Sequence, residues 1–157
     1  MNNNDILDST EALFASKNIH FTLAELSQKL GIKPPSLYNH FKNREEIIRL
    51  AIFREIDNFF GYVNQVIESI SDEPLEVWLE RYFKQTLSYF NSHQKARFWR
   101  QLSLLEPDFK AQFEVYREER ETTMRKKLNE IFDLLALDLK MTVQKKLGAF
   151  TLMYIMM

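Results

Sequence analysis

The chain has 157 residues, a formal net charge of −1 and no cysteine. It carries 45% hydrophobic and 13% aromatic residues against only 3 Gly and 4 Pro. That balance excludes a disulfide framework, a thiolate metal site and a disordered polyelectrolyte. It also leaves too few turn residues for a many-stranded β fold. The segments are rich in Leu, Glu, Lys, Gln and Ala, which are good helix formers, so an all-α protein is expected.

The first predicted helix spans about residues 4–17, with Ile6, Leu13 and Phe14 on its apolar face. Asn18 follows it, and Asn tolerates the left-handed backbone that often ends a helix. The second helix opens on Thr22-Leu23-Ala24-Glu25, the pattern of a capping box. Leu23, Leu26 and Leu30 recur at helical spacing, and Gly31 ends the helix. Pro34 and Pro35 then prime a very short third helix, ending near Phe41. Such a helix cannot stand alone in water, so packing must hold it. Leu37 and Phe41, four apart, supply that packing. Ser36, Tyr38, Asn39 and His40 are left turned outward.

Asn43-Arg44-Glu45-Glu46 reads as a second capping box, opening a long fourth helix from about residue 44 to residue 70. Gly61 interrupts it. Close packing against another helix and a bend beside a ligand both account for that glycine. Ser71 to Pro74 is a loop leading into a fifth helix, about 74–90. A sixth covers about 96–105 and a seventh about 107–136. Leu137 to Met141 reads as a turn, with an eighth helix from near Thr142. No repeat or low-complexity segment interrupts the order.

Two helices joined by a tight Gly31 turn form a helix-turn-helix pattern, whose second helix enters the DNA major groove. Local charge agrees with this. Residues 29–44 hold four basic residues (Lys29, Lys33, Lys42 and Arg44) and no Asp or Glu. Such a stretch taken alone is also compatible with an ordinary solvated surface. Its meaning comes from its place on the pattern. The prolines set where the short helix begins, and phosphates favour a helix N-terminus in a cationic neighbourhood.

From Ala12 to Ile52 the sequence resembles the DNA-binding head of the TetR/AcrR transcriptional regulators. The resemblance is carried by Leu13-Phe14, Thr22, Leu26, Gly31, Leu37-Tyr38, His40-Phe41, Lys42 and Arg44-Glu45-Glu46. It departs from the family at Asn18, where Gly is usual, and at Lys33, where Ser or Thr often caps the third helix. The resemblance implies a three-helix head (1–52) joined by the long fourth helix to a helical ligand-binding and dimerisation body (53–157). It implies that Thr22, Tyr38, His40, Lys42 and Arg44 hold the DNA backbone. Pro35, Ser36 and Asn39 would face bases, with Lys33 beside them. Asn is suited to bidentate pairing with adenine.

Aromatic residues crowd the fifth to seventh helices. At helical spacing they serve as core more often than as pocket. The family's body often holds an apolar pocket, and Tyr82, Phe98, Trp99, Phe113 and Tyr116 are the candidates to line one. His20 and His93 read as surface residues, and no metal or cofactor is expected. No glycine-rich phosphate loop or nucleophile elbow is present, so an enzyme is not expected. The expected protein is a cytoplasmic, homodimeric, effector-responsive repressor that binds double-stranded operator DNA and no membrane. The alternative is a helical module for a small molecule or protein that does not read DNA. The family usually adds a further helix to complete its dimer interface, so the end at Met157 reads either as a C-terminal truncation or as a different mode of dimerisation.

Overall fold

A computed structural model describes residues 2–69 and 75–134. The predicted Ser71–Pro74 loop, the turn after residue 136 and the eighth helix lie outside the described residues. Every regular element within them is helical.

α1 spans Asn3–Lys17 and α2 spans Leu23–Leu30. Asn2 caps α1 through a capping box with Asp5. Thr22 does the same for α2: its Oγ accepts from the Glu25 N–H at 3.1 Å, and Glu25 Oε2 accepts from the Thr22 N–H at 2.7 Å. Gly31 ends α2 at φ 68, in the left-handed region. The predicted third helix is a 3₁₀ segment, Pro34–Asn39, two residues shorter than expected at its C-terminal end. The adjacent prolines withhold two N–H donors, and the turn winds tightly on Ser36 N–H to Lys33 O and His40 N–H to Leu37 O.

The predicted fourth helix is α3, Arg44–Glu68. Its cap differs from the expected reciprocal box. Asn43 Oδ1 does accept from the Glu46 N–H at 2.8 Å, but Glu46 Oε2 accepts from Lys42 N–H at 2.6 Å instead of from Asn43. The carboxylate therefore binds the chain one residue further back, onto the end of the helix-turn-helix. α4 (Leu75–Ser88), a 3₁₀ turn (Tyr89–Asn91), α5 (His93–Ser103) and α6 (Pro107–Leu134) complete the described chain.

α3 is the axis of the molecule. α4 runs back along it: Tyr62 Oη donates to Gln85 O, while Arg81 donates to Ser69 Oγ nearer the far end. α6 runs beside it in the same direction, with Tyr116 bonded to Asp57 and Lys127 paired with Glu68. α1 packs on both α3 and α5. One hydrophobic cluster runs from Ile6, Phe14, Leu26 and Leu37 through Ile52 and Phe59 to Trp99 and Phe113. The two readings of Gly61 are decided in part. A Cβ built there meets no described residue within 4 Å, so close packing among the described residues does not explain it. No helix among the described residues is long and apolar enough to cross a membrane.

Candidate nucleic-acid interface

The 3₁₀ segment is pinned from beneath. Leu37 is 1% exposed and Phe41 is buried beside it, which matches the four-residue spacing. Ile32 N–H returns to Ser27 O at 3.0 Å, so the turn after α2 is itself closed by backbone bonds. With those anchors set, Lys33, Pro34, Pro35, Tyr38, Asn39, His40 and Lys42 are all exposed, and Ser36 is half-buried. Tyr38 is 57% exposed, unusual for a large ring, and its hydroxyl has no partner among the described residues. Lys33 makes no side-chain cap on the segment, which leaves its amine at the surface.

Three predicted contact residues have internal partners. Thr22 is exposed, but its hydroxyl and N–H both serve the α2 cap. His40 Nδ1 lies 2.7 Å from Asn3 Oδ1 at the start of α1. Arg44 is half-buried. Its Nε donates to Phe21 O at 2.9 Å, its Nη2 reaches Phe21 O and Ile19 O, and its guanidinium lies 5.1 Å from the Phe21 ring centroid. Arg44 therefore clamps the turn before α2 onto the start of α3.

Beside the segment, Lys42, Asn43, Glu45, Glu46 and Arg49 line a shallow polar groove at the N-terminus of α3. Arg49 was not among the predicted contacts. The basic window stops at Arg44 because Glu45 and Glu46 follow it. Only the helical turn brings Arg49 back beside Lys42.

The five aromatic candidates of the body make different contacts among the described residues. Phe98 packs on Phe14 with centroids 4.7 Å apart, and Tyr82 stacks on Trp78 at 5.4 Å. Trp99 Nε1 donates to Glu55 Oε1 at 3.1 Å. Tyr116 stacks on Phe53 at 4.1 Å and donates to Asp57 Oδ2 at 2.7 Å. Burial, and then the Asp57 carboxylate, hold that phenol above its ordinary range. Phe113 lines a cleft with Ile56, Leu102, Ser103, Lys110 and Arg117. The cleft holds only about 50 Å³, well below the roughly 300–1,000 Å³ of ordinary ligand sites.

A buried charge sits where the N-terminal helices meet the body. Glu55 is 0% exposed, and Tyr89 Oη, Trp99 Nε1 and the Lys95 ammonium all donate to it. Burial, and next the Glu55 carboxylate, push the Tyr89 phenol far up. On the other side of α3, Arg54 binds Glu11 of α1 at 2.7 Å and Asp8 at 2.6 Å. The burial of Glu55 follows from α5 closing over it, which nothing local encodes.

A short, exposed, cation-flanked segment held on an all-helical scaffold defines the helix-turn-helix class of DNA-binding regulators. Residues 6–51 match the family model for bacterial regulatory proteins of the tetR family. Over those residues the chain is similar to a tetR-family DNA-binding head. No curated protein matches the chain. Solved structures share its fold. A tetR-family transcription regulator from Shewanella sp. PV-4 superposes with a TM-score of 0.63 at 17% identity, over 84% of this chain and 68% of that one. The tetR-family regulator PfmR from Thermus thermophilus gives 0.63 at 21% identity, over 95% and 84%. A tetR-family regulator from Bordetella parapertussis gives 0.59 at 18%, over 97% and 81%. The likeness thus extends beyond the head into the body.

Proposed function

We propose that the protein is an effector-responsive transcriptional repressor acting as a cytoplasmic homodimer. Residues 1–52 read the operator, and residues 53–157 sense the effector and pair the subunits. The observation that carries this reading is the exposed row Lys33–Lys42 standing on the buried anchors Leu37 and Phe41. Tyr38, His40 and Lys42 meet phosphates there and set position. Pro35, Ser36 and Asn39 meet base edges and set sequence, with Lys33 beside them. Thr22 and Arg44 act with their side chains already committed to the fold, so each presents the DNA backbone with a held group.

The effector enters at the cleft between α3, α5 and α6. Ile56, Leu102 and Phe113 make it apolar, which suits a lipophilic molecule with a polar end near Lys110 or Arg117. The cleft must widen to admit such a molecule, so the effector selects an opened body. By linkage, operator DNA then weakens effector binding by the factor with which effector weakens DNA binding.

The test is fluorescence anisotropy with duplex DNA from upstream of the protein's own gene, against a scrambled duplex, at several salt concentrations. Selective binding that weakens with salt, and weakens further in Tyr38→Phe and Lys42→Ala, supports the reading. Equal binding of both duplexes favours the alternative, a helical binding module that does not read DNA.

A further inference from the structure

Asn18 ends α1 at φ 55 and ψ −141, and among the described residues it alone combines a positive φ with a side chain. That combination lies outside the left-handed helical well where Asn is tolerated, and in a region adopted almost only by Gly. A glycine would make the turn without strain. The asparagine must therefore supply something that the turn itself does not need.

Its side chain makes two hydrogen bonds. Oδ1 accepts from the Ile19 N–H at 2.8 Å, which is local. Nδ2 donates across to Gln101 O at 3.4 Å, a residue 83 positions away near the end of α5. The same carbonyl accepts from Leu104 N–H, so it lies at the unwinding end of the helix. On the other side of Asn18, the Ile19 and Phe21 carbonyls are held by Arg44, two residues beyond Lys42. A connected path thus runs from α5 through the α1–α2 turn to the start of α3. Leu102 and Ser103, next to Gln101, form one wall of the cleft.

We infer that Asn18 is a positioning residue for DNA binding: its amide ties the α1–α2 turn to the end of α5 and sets the tilt of the head on the body. This rests on the repressor reading above. Strain at Asn18 is retained because the tether needs a carboxamide at that place. Widening of the cleft shifts α5, and the tether carries that shift to the recognition segment.

The experiment uses the full chain. It lacks cysteine, so Lys29→Cys and Val115→Cys take spin labels at exposed sites on head and body, and pulsed electron resonance reads the distance between them. Asn18→Gly relieves the strained φ and removes the tether. Asn18→Asp keeps an acceptor for Ile19 but sets an acceptor against the Gln101 carbonyl. Both substitutions should broaden the head–body distance distribution and weaken operator binding about fivefold, the worth of one hydrogen bond. Asn18→Gly should do so with an equal or higher melting temperature, an effect that loss of fold cannot mimic. An unchanged distance distribution in both variants overturns the tether. A broadened distribution with operator affinity unchanged overturns the positioning role. If the wild-type chain selects no DNA, the repressor reading fails, while the label distances still decide the tether.

Discussion

Arg44 and Tyr38 separate stability from recognition at the residue scale. Arg44 spends its guanidinium on two backbone carbonyls and the face of Phe21. Arg44→Ala should therefore destabilise the chain by about 2–3 kcal/mol, as expected for charge-assisted bonds lost from partly buried carbonyls, measured by urea unfolding. Tyr38 is the converse, since its hydroxyl touches nothing within the described chain. Tyr38→Phe should leave the unfolding midpoint within error and still lower DNA affinity. A loss of stability comparable to that of Arg44→Ala would show that Tyr38 belongs to the core. Glu55 is a costly side chain to truncate. Glu55→Ala leaves Lys95, Tyr89 and Trp99 without their shared acceptor, and should cost about 3–5 kcal/mol. The sequence revealed the exposed set around Tyr38, because the anchors Leu37 and Phe41 lie four apart and the rest must face out. It hid Glu55, whose three donors arrive from residues 89–99.

At the scale of the element, α2 and α3 make different demands. The α2 cap depends on an ionised Glu25. Its carboxyl is held below the ordinary value of 4.5, first by the Lys17 ammonium and then by the Thr22 N–H. A lowered folded pKa adds stability above the ordinary value and loses it as pH falls through the folded one. The gap in melting temperature between wild type and Glu25→Gln should therefore be present at neutral pH and close as pH falls through the lowered folded-state pKa, below the ordinary carboxylate range. A gap that widened on acidification would rule out this role. In α3, Gly61 carries the entropic cost of a mid-helix glycine with no described residue packed over it. Gly61→Ala should stabilise by about 1 kcal/mol, read as a raised unfolding midpoint. The capping boxes, Gly31 and the order of helices were legible locally, because each is set within about four residues. The 3₁₀ winding of Pro34–Asn39 was less so, since proline permits a helical start without stating which helix follows.

At the scale of the whole molecule, function depends on how the N-terminal helices are held against the body. Three independent ties meet at α1, α3 and α5: Arg54 with Glu11 and Asp8, the Glu55 cluster, and Phe14 against Phe98. In the proposed dimer, the two heads must present their recognition segments about 34–36 Å apart to reach successive major grooves. Each phosphate contact made by a cation also releases counterions, so log affinity should fall linearly with log salt. Lys42→Ala should reduce that slope by about one contact's worth while leaving the preference for operator over scrambled DNA nearly intact. Asn39→Ala should do the reverse, lowering the preference more than the slope. Paired salt titrations of the two variants check this, and identical effects on slope would remove the division between positioning and reading.

The sequence by itself determined the helical class, the helix-turn-helix, the anchors beneath it and the residues it exposes. Each of these follows from spacing of three or four residues, from proline and glycine backbone limits, or from a cap, all of which act over short range. Only the tertiary structure decided that Arg44 faces inward as well as outward, and that Phe113 meets Ile56 and Leu102 in the small cleft. It also decided that Asn18 reaches Gln101. These depend on contacts between residues tens of positions apart, and no local pattern records which distant helix will close over a given side chain.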